Sequence, residues 1–309
     1  MMLFSKRLIV FLCSLLSALC LGCMTSSRQL QFYVFSDTHC LDTLSRYHIL
    51  DSMITDVNTV HQEDLPLGYD HLVRISPKGL LISGDLTDDG RPAQWSQFQE
   101  LFGLNGNAKL KMPVYENYGN HDGDTNGIVR TGIKARNLVR KKVTTISSNG
   151  MHYSWDWNQY HFVSLGSYPS EKWDDTCQWC HYFKKSFREP QNSLGFLKED
   201  LSKNAAGKKV ILYFHYGWDS FSKLWWTEAE QENFYQVIKD HQIVAIFTGH
   251  NHATGHLQWK GYDVYSAGSP QAGEKTGSYL VVRATQDSLY VLERKYQRWG
   301  EHRYAKKVQ

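Results

Sequence analysis

The sequence predicts a layered α/β fold, and two observations carry that expectation. Five short runs, Leu30 to Ser36, Leu80 to Ser83, Val114 to Tyr118, Val210 to Phe214 and Ile243 to Thr248, are apolar along most of their length. Strands of that kind belong to sheets covered on both faces. Between them lie segments whose apolar residues recur at helical spacing, among them Ile49, Met53, Ile54 and Val57. At 309 residues the chain is long enough for one large domain or two small ones. An apolar fraction of 41% is ample for a packed core and excludes wholesale disorder. A formal charge of +3 is too small over this length to argue for a nucleic-acid partner, and none is expected.

The elements follow in order. Residues 1–23 read as a leader. Lys6 and Arg7 precede Leu8 to Leu21, an apolar stretch short for a membrane span and right for a secretory signal core. Gly22-Cys23 then resembles a bacterial lipobox, with Cys23 as the acylated residue and Cys20 where an aliphatic residue is usual. The expectation is an exported protein of the cell envelope or periplasm. A membrane-anchored lipoprotein ranks first, a cleaved secretory protein second and an uncleaved anchor third. Residues 24–29 form a tether, and the first strand begins at once.

Residues 41–79 read as helix and loop. Pro92 is well placed near the start of a second helix, which carries Trp95, Phe98, Leu101 and Phe102. Gly123 to Gly150 is polar and basic, with Arg130, Lys134, Arg136, Arg140, Lys141 and Lys142. A solvated helix is favoured there over a phosphate-facing lip. Met151 to Gly166 alternates and carries a hairpin signal at Asp156 to Gln159, the start of a second sheet. Residues 168–190 form an insertion rich in aromatics and charge, expected as a lid or substrate-binding loop. Strands return at 263–265, 279–282 and 289–292 and are expected to complete the second sheet. The domain is thus drawn from 30 to 293, and 294–309 reads as a basic, solvated tail, with an anionic bilayer as its alternative partner.

Each of the five apolar runs ends in residues of metal-ligand type. In order these are Asp37-Thr38-His39, Gly84-Asp85, Gly119-Asn120-His121-Asp122, a single His215, and Gly249-His250-Asn251-His252. Ligands at strand ends project from one edge of a sheet, where α/β proteins place their sites. Carboxylate, imidazole and amide groups converging from several segments suit hard and borderline divalent metals. D-x-H alone would be noise, and a lone histidine is more often a core residue. G-N-H-D and G-H-x-H in this order, each at a strand end, form a specific signature.

The motif set resembles the calcineurin-like metallophosphoesterases over roughly residues 30–270. The resemblance implies a four-layer α/β/β/α sandwich of two mixed sheets with helices outside. It implies two divalent metal ions, Mn, Fe, Zn or Co, with Asp85 bridging them. Asp37, His39 and His252 would complete the first site, and Asn120, His215 and His250 the second. Hydrolysis of a phosphate ester would use a metal-bridging hydroxide. His121 would be the leaving-group acid, and Asp122 beside it would orient the ring or favour its charged form. Purple acid phosphatases carry a Tyr three residues after the G-D aspartate; Asp88 stands there in this chain, so a tyrosinate-ligated iron is not expected. Gly84-Asp85-Leu86-Thr87-Asp88 is closer to the cyclic-nucleotide phosphodiesterase and diphosphatase branches.

The leading expectation is therefore a dimetal phosphoesterase acting on a phosphodiester or diphosphate, with a small-molecule or lipid-headgroup substrate. A broad phosphomonoesterase is the alternative, and a non-catalytic binding protein on the same scaffold stands behind it. His152, His161, His181 and His256 are expected to be structural. Cys177-Gln178-Trp179-Cys180 is expected to form a local disulfide, or Cys40 to pair with one of the two, in an oxidising compartment.

Overall fold

The computed structural model describes residues 29–42, 48–172, 188–270 and 277–308. The leader with Cys23, the Cys177 and Cys180 pair, His181 and most of the insertion lie outside them. The two sheets are built from thirteen strands among the described residues. In the first, β1 (Leu30–Phe35) is flanked by β2 (Leu80–Ile82) and then β3 (Val114–Glu116), all parallel. On its other side run β11 (Ser278–Ala284), β12 (Ser288–Lys295) and β13 (Arg298–Lys307), antiparallel in turn. The second sheet has the order β4 (Val143–Ile146), β5 (Tyr153–Trp157), β6 (Tyr160–Ser164), β7 (Lys209–Tyr213), β8 (Ile243–Thr248), β10 (Tyr262–Ser266), β9 (Gly255–Trp259). Its central strands β6, β7, β8 and β10 are parallel.

The alternation within β1 shows why the sheets stack. Leu30, Phe32 and Val34 enter the core between the two sheets, beside Trp155, Phe162, Tyr213 and Phe247. Tyr33 and Phe35 face the other way, into a core shared with α1 (His48–Thr59), α2 (Pro92–Phe102) and α3 (Ile128–Val139). On the far side Leu212 and Phe214 meet α4 (Ser193–Asn204) and α5 (Glu228–Ile238) in a third core. Three cores separate four layers, helix, sheet, sheet and helix, as expected. Pro92 sits in the first turn of α2, where its missing N–H costs no hydrogen bond. Thr227 and Glu230 close a capping box on α5.

Three expectations are corrected. First, β11 and β12 do not join the second sheet; they satisfy the open edge of β1, whose backbone groups would otherwise face solvent. Second, residues from Arg294 onward are solvated as expected along 298–307 but do not form a free tail. Arg294 is buried on Asp56, with Nη2 at 2.9 Å from Oδ1, and 298–307 form the edge strand β13. Third, the basic helix α3 does not simply face water. Arg130, Arg136 and the following Arg140 are buried. Arg136 Nε and Arg140 Nη2 donate to Glu116 Oε1 at 2.6 and 2.7 Å, locking the helix to the end of β3.

The expected structural histidines described here do pack as such. His161 lies between Asp156 and Asp200, each 2.7 Å away, while His152 Nε2 meets the Gln191 carbonyl at 2.9 Å. Cys40 is free and buried, which removes it from the expected disulfide pairing.

Glu116 makes a stability test. Burial alone would raise its pKa, but Arg136 and Arg140 pull it from an ordinary 4.5 to about 2. Its contribution is complete above 4.5 and is lost as pH falls towards 2, a span on the order of 3 kcal/mol. Urea unfolding at stepped pH should show that loss in the wild type and a flatter profile in Glu116→Gln, which is also less stable at neutral pH.

Candidate metal centre

All seven expected ligands meet at one edge of the sandwich, beyond the carboxyl ends of the parallel strands. The pairing of β1 with β2 continues past the strands as loop-to-loop hydrogen bonds. Asp37 N donates to the Gly84 carbonyl at 3.0 Å and His39 N to that of Asp85 at 3.0 Å. The second sheet delivers its ligands in the same manner, with Gly249 N bonded to the His215 carbonyl at 3.0 Å. The backbone is forced to place them. Asp37, His39, Asp85, His250 and His252 all hold positive φ, between 39° and 71°, a region side-chain-bearing residues rarely adopt. Strain of that kind gathers where a structure fixes a site.

The glycines of the motifs have steric reasons. Gly84 sits at φ +121°, and a β-carbon there would lie 2.7 Å from His215 Nδ1. One on Gly119 would collide with the Asp85 carboxylate. The G-D and G-N-H-D motifs are thus one interlocked unit.

The ligand atoms fall into two groups. Asp37 Oδ1 lies 3.3 Å from His252 Nε2 and 3.9 Å from His39 Nε2, and the two imidazole nitrogens are 3.2 Å apart. In the second group His215 Nε2 lies 3.2 Å from Asp85 Oδ2, 3.1 Å from Asn120 Oδ1 and 3.3 Å from His250 Nδ1. Asp85 Oδ2 is also 3.8 Å from His39 Nε2, so it faces both groups. Ligands bound at about 2.0–2.2 Å to one cation stand roughly 3–3.5 Å apart, which these separations approach.

The second oxygens are already committed to the protein. Asp37 Oδ2 accepts from His250 N at 2.9 Å, and Asp85 Oδ1 from His121 N at 2.8 Å. Asp37 Oδ1 is buried without a hydrogen-bond partner. A buried carboxylate oxygen left unsatisfied is costly, and a cation beside it removes that cost. The donor set therefore fits divalent metal ions.

The electrostatics agree. Burial opposes charge on Asp85, yet His215 and His39 hold its carboxyl well below the ordinary range. Burial likewise opposes charge on His215, and the neighbouring Asp85 carboxylate outweighs it and raises the imidazole to about 9. Burial and the neighbouring His215 lower His250 to about 4, leaving it neutral and ready to donate a lone pair.

Two residues differ from their expected tasks. Asp122 does not touch the His121 ring. Its fully buried carboxylate accepts from Leu86 N at 3.1 Å, Thr87 N at 2.9 Å, Thr87 Oγ1 at 2.8 Å and Gly119 N at 2.8 Å, tying the two motif loops together. The His121 ring is positioned instead by the Asp88 carbonyl, 2.5 Å from Nδ1. A carbonyl only accepts, so Nδ1 carries the hydrogen and Nε2 is the atom left for exchange. Asp88 also places Oδ1 3.5 Å from His39 Nδ1, a charge within reach of that ring at a distance too long for a good hydrogen bond. Sequence reasoning missed this residue, noting only that it was not tyrosine. It missed too the aromatic wall on His250, built by Tyr216 at 4.6 Å and Phe221 at 5.1 Å between ring centroids.

Over residues 30–254 the chain matches the calcineurin-like phosphoesterase family, and it belongs to that family. It is accordingly a metal-dependent hydrolase of phosphate esters. No curated protein matches it. Among solved structures, it is similar to GAP50, the anchor in the inner membrane complex of Plasmodium, with 13% identity, 91% and 89% of the two chains covered and a TM-score of 0.55. It is also similar to phosphopantetheinyl hydrolase from Mycobacterium tuberculosis, at 13% identity over 79% and 92% of the chains with a TM-score of 0.42. Zinc-bound Vps29 from Entamoeba histolytica follows at 10% identity over 90% and 98%, TM-score 0.37. At 13% identity the likeness to GAP50 speaks to the fold alone.

Asp85→Ala should remove most bound metal and all activity, because its carboxylate faces both ligand groups. Asp88→Asn should retain metal and lower affinity and rate by less than the roughly 10–100-fold that losing a hydrogen-bonded carboxylate behind a histidine ligand costs, since Asp88 stands 3.5 Å from His39 Nδ1. Metal analysis and kinetics on the two purified variants separate these outcomes.

Proposed function

We propose that the chain hydrolyses a phosphodiester or diphosphate with two divalent metal ions held side by side. The observation that carries this reading is Asp85 Oδ2, set between the His39 and His215 nitrogens at 3.8 and 3.2 Å, with a full ligand group on either side. Asp37, His39 and His252 would hold one ion with Asp85, and Asn120, His215 and His250 would hold the other with it. Such a pair, when bound, supplies Lewis acidity to the phosphoryl oxygens and acidifies water for in-line attack.

The chain's own residues do the rest. Asp85 Oδ1 is fixed on His121 N, so the bridging oxygen cannot swing away without breaking the loop. Asn120 contributes a neutral amide oxygen, which limits the negative charge around the cations. His121 stands exposed at the rim with Nδ1–H on the Asp88 carbonyl. As the imidazolium, with a second proton taken from solvent on Nε2, it gives that proton to the leaving alkoxide and returns to the neutral Nδ1–H form. The Phe221 ring, 46% exposed and stacked on His250, offers flat apolar area to the organic part of the substrate. That surface supports a substrate with an organic group on the phosphate over inorganic phosphates. The reading includes export and membrane attachment through the N-terminal stretch, on the strength of Lys6, Arg7, the apolar run Leu8 to Leu21 and Cys23.

With Mn loaded, the protein should turn over bis-p-nitrophenyl phosphate faster than p-nitrophenyl phosphate. The reverse order would favour the phosphomonoesterase alternative. His121→Ala should keep its metals and lose about 10²–10⁴-fold on esters with poor leaving groups, with a smaller loss on p-nitrophenyl esters. An unchanged rate on a poor leaving group would remove His121 from the acid role.

A further inference from the structure

The edge opposite the metal centre has its own character. Every parallel strand that ends at the ligands begins there: Leu30 of β1, Leu80 of β2, Val114 of β3, Lys209 of β7 and Ile243 of β8. Strands of six residues, such as β1 and β8, put about 20 Å between the two edges. The chain enters at this edge, where the Gln29 carbonyl accepts from Asn158 Nδ2 at 3.2 Å in the β5–β6 turn. Six residues, 24–29, separate that point from the end of the leader and reach at most about 20 Å.

Around the entry point the surface is rich in lysine. Lys78, Lys141 and Lys142 are exposed and carry no ion pair among the described residues. With Arg140, Trp157 and Asn158 they line a cleft of about 390 Å3. Lys209 begins β7 and Lys307 ends β13 at the same edge, with Lys208 just before β7. Lys208 is paired with Asp156, which also lines the cleft, and Lys307 with Asp287, so the uncompensated charge is that of Lys78, Lys141 and Lys142. Immediately before the lysines, at the end of α3, Leu138 and Val139 are 74% and 66% exposed, unusually open for large aliphatic residues. Exposed aliphatic side chains beside unpaired lysines are the composition of a membrane-interface contact.

We infer that this edge is a membrane-docking face: Leu138 and Val139 enter the interfacial zone of an anionic bilayer, and Lys78, Lys141 and Lys142 lie over its headgroups. The inference rests on the reading of the N-terminal stretch as membrane-attaching, and it deepens that reading by fixing an orientation. The metal centre then opens away from the bilayer, so its substrate is a phosphate ester taken from the aqueous side.

The test uses the full chain on vesicles of zwitterionic lipid with and without 30% anionic lipid, read by flotation and by hydrogen exchange. Flotation with both vesicle types is expected, with amides of residues 137–143 exchanging about tenfold more slowly on the anionic ones only. That protection should vanish in high salt and in Lys78→Gln/Lys141→Gln/Lys142→Gln, with docking weakened about fivefold per lysine and phosphoesterase activity unchanged. Equal exchange on the two vesicle types, with flotation intact, overturns the docking face and leaves the attachment reading standing. Protection that survives high salt overturns the role of the lysines. Protection of residues 219–224 instead would turn the metal centre towards the bilayer and contradict the orientation. A chain that floats with neither vesicle overturns the attachment reading and the inference with it.

Discussion

Asp85 is a carboxylate buried at the meeting point of two sheets, and the architecture of the ligand edge follows from compensating its charge. A buried charge survives only when paired and hydrogen-bonded. Here one oxygen is held by the His121 amide and the other lies between imidazoles delivered from opposite sheets. To bring those groups within reach, the backbone accepts positive φ at five ligands and excludes a side chain at Gly84 and Gly119. The same compensation explains Asp122, whose four donors come from both motif loops and hold the Asp85 loop against the His121 loop. Rigid loops of this kind pre-set the ligand positions, so a cation meets a site that needs little rearrangement.

The sandwich divides its two edges between different tasks. The carboxyl ends of the parallel strands gather acids, imidazoles and an amide around one point. The amino ends gather lysines around the place where the chain enters the fold. The body between them is held above all by the Glu116 pair with Arg136 and Arg140 and the Arg294 pair with Asp56. Both join a helix or its end to a strand of the first sheet.

Much of this was legible from residue order. The ligands could be read because each follows an apolar run long enough to announce a strand, and the helices because Ile49 to Val57 and Trp95 to Phe102 keep their period. The placement of β11 and β12 was not legible. Residues such as Tyr279 to Val282 announce burial on both faces but not which edge they satisfy. The basic stretch misled for a related reason: Arg136 and Arg140 look solvated until Glu116, twenty or more residues earlier, is found beneath them. Asp122 was misassigned because adjacency to His121 suggests contact, whereas the turn sends the two side chains in different directions. Asp88 gave no signal, since its two tasks, one through a carbonyl and one through a carboxylate, depend on a loop conformation that the residue type does not encode.

The account turns on Asp85 as the carboxylate shared by two cations. A crystal of the chain soaked in Mn and examined by anomalous scattering tests that claim directly. The account predicts two peaks about 3.5–4 Å apart, both within bonding distance of the Asp85 carboxylate, one beside Asp37, His39 and His252 and the other beside Asn120, His215 and His250. A single peak, or a pair that leaves Asp85 out, would contradict it.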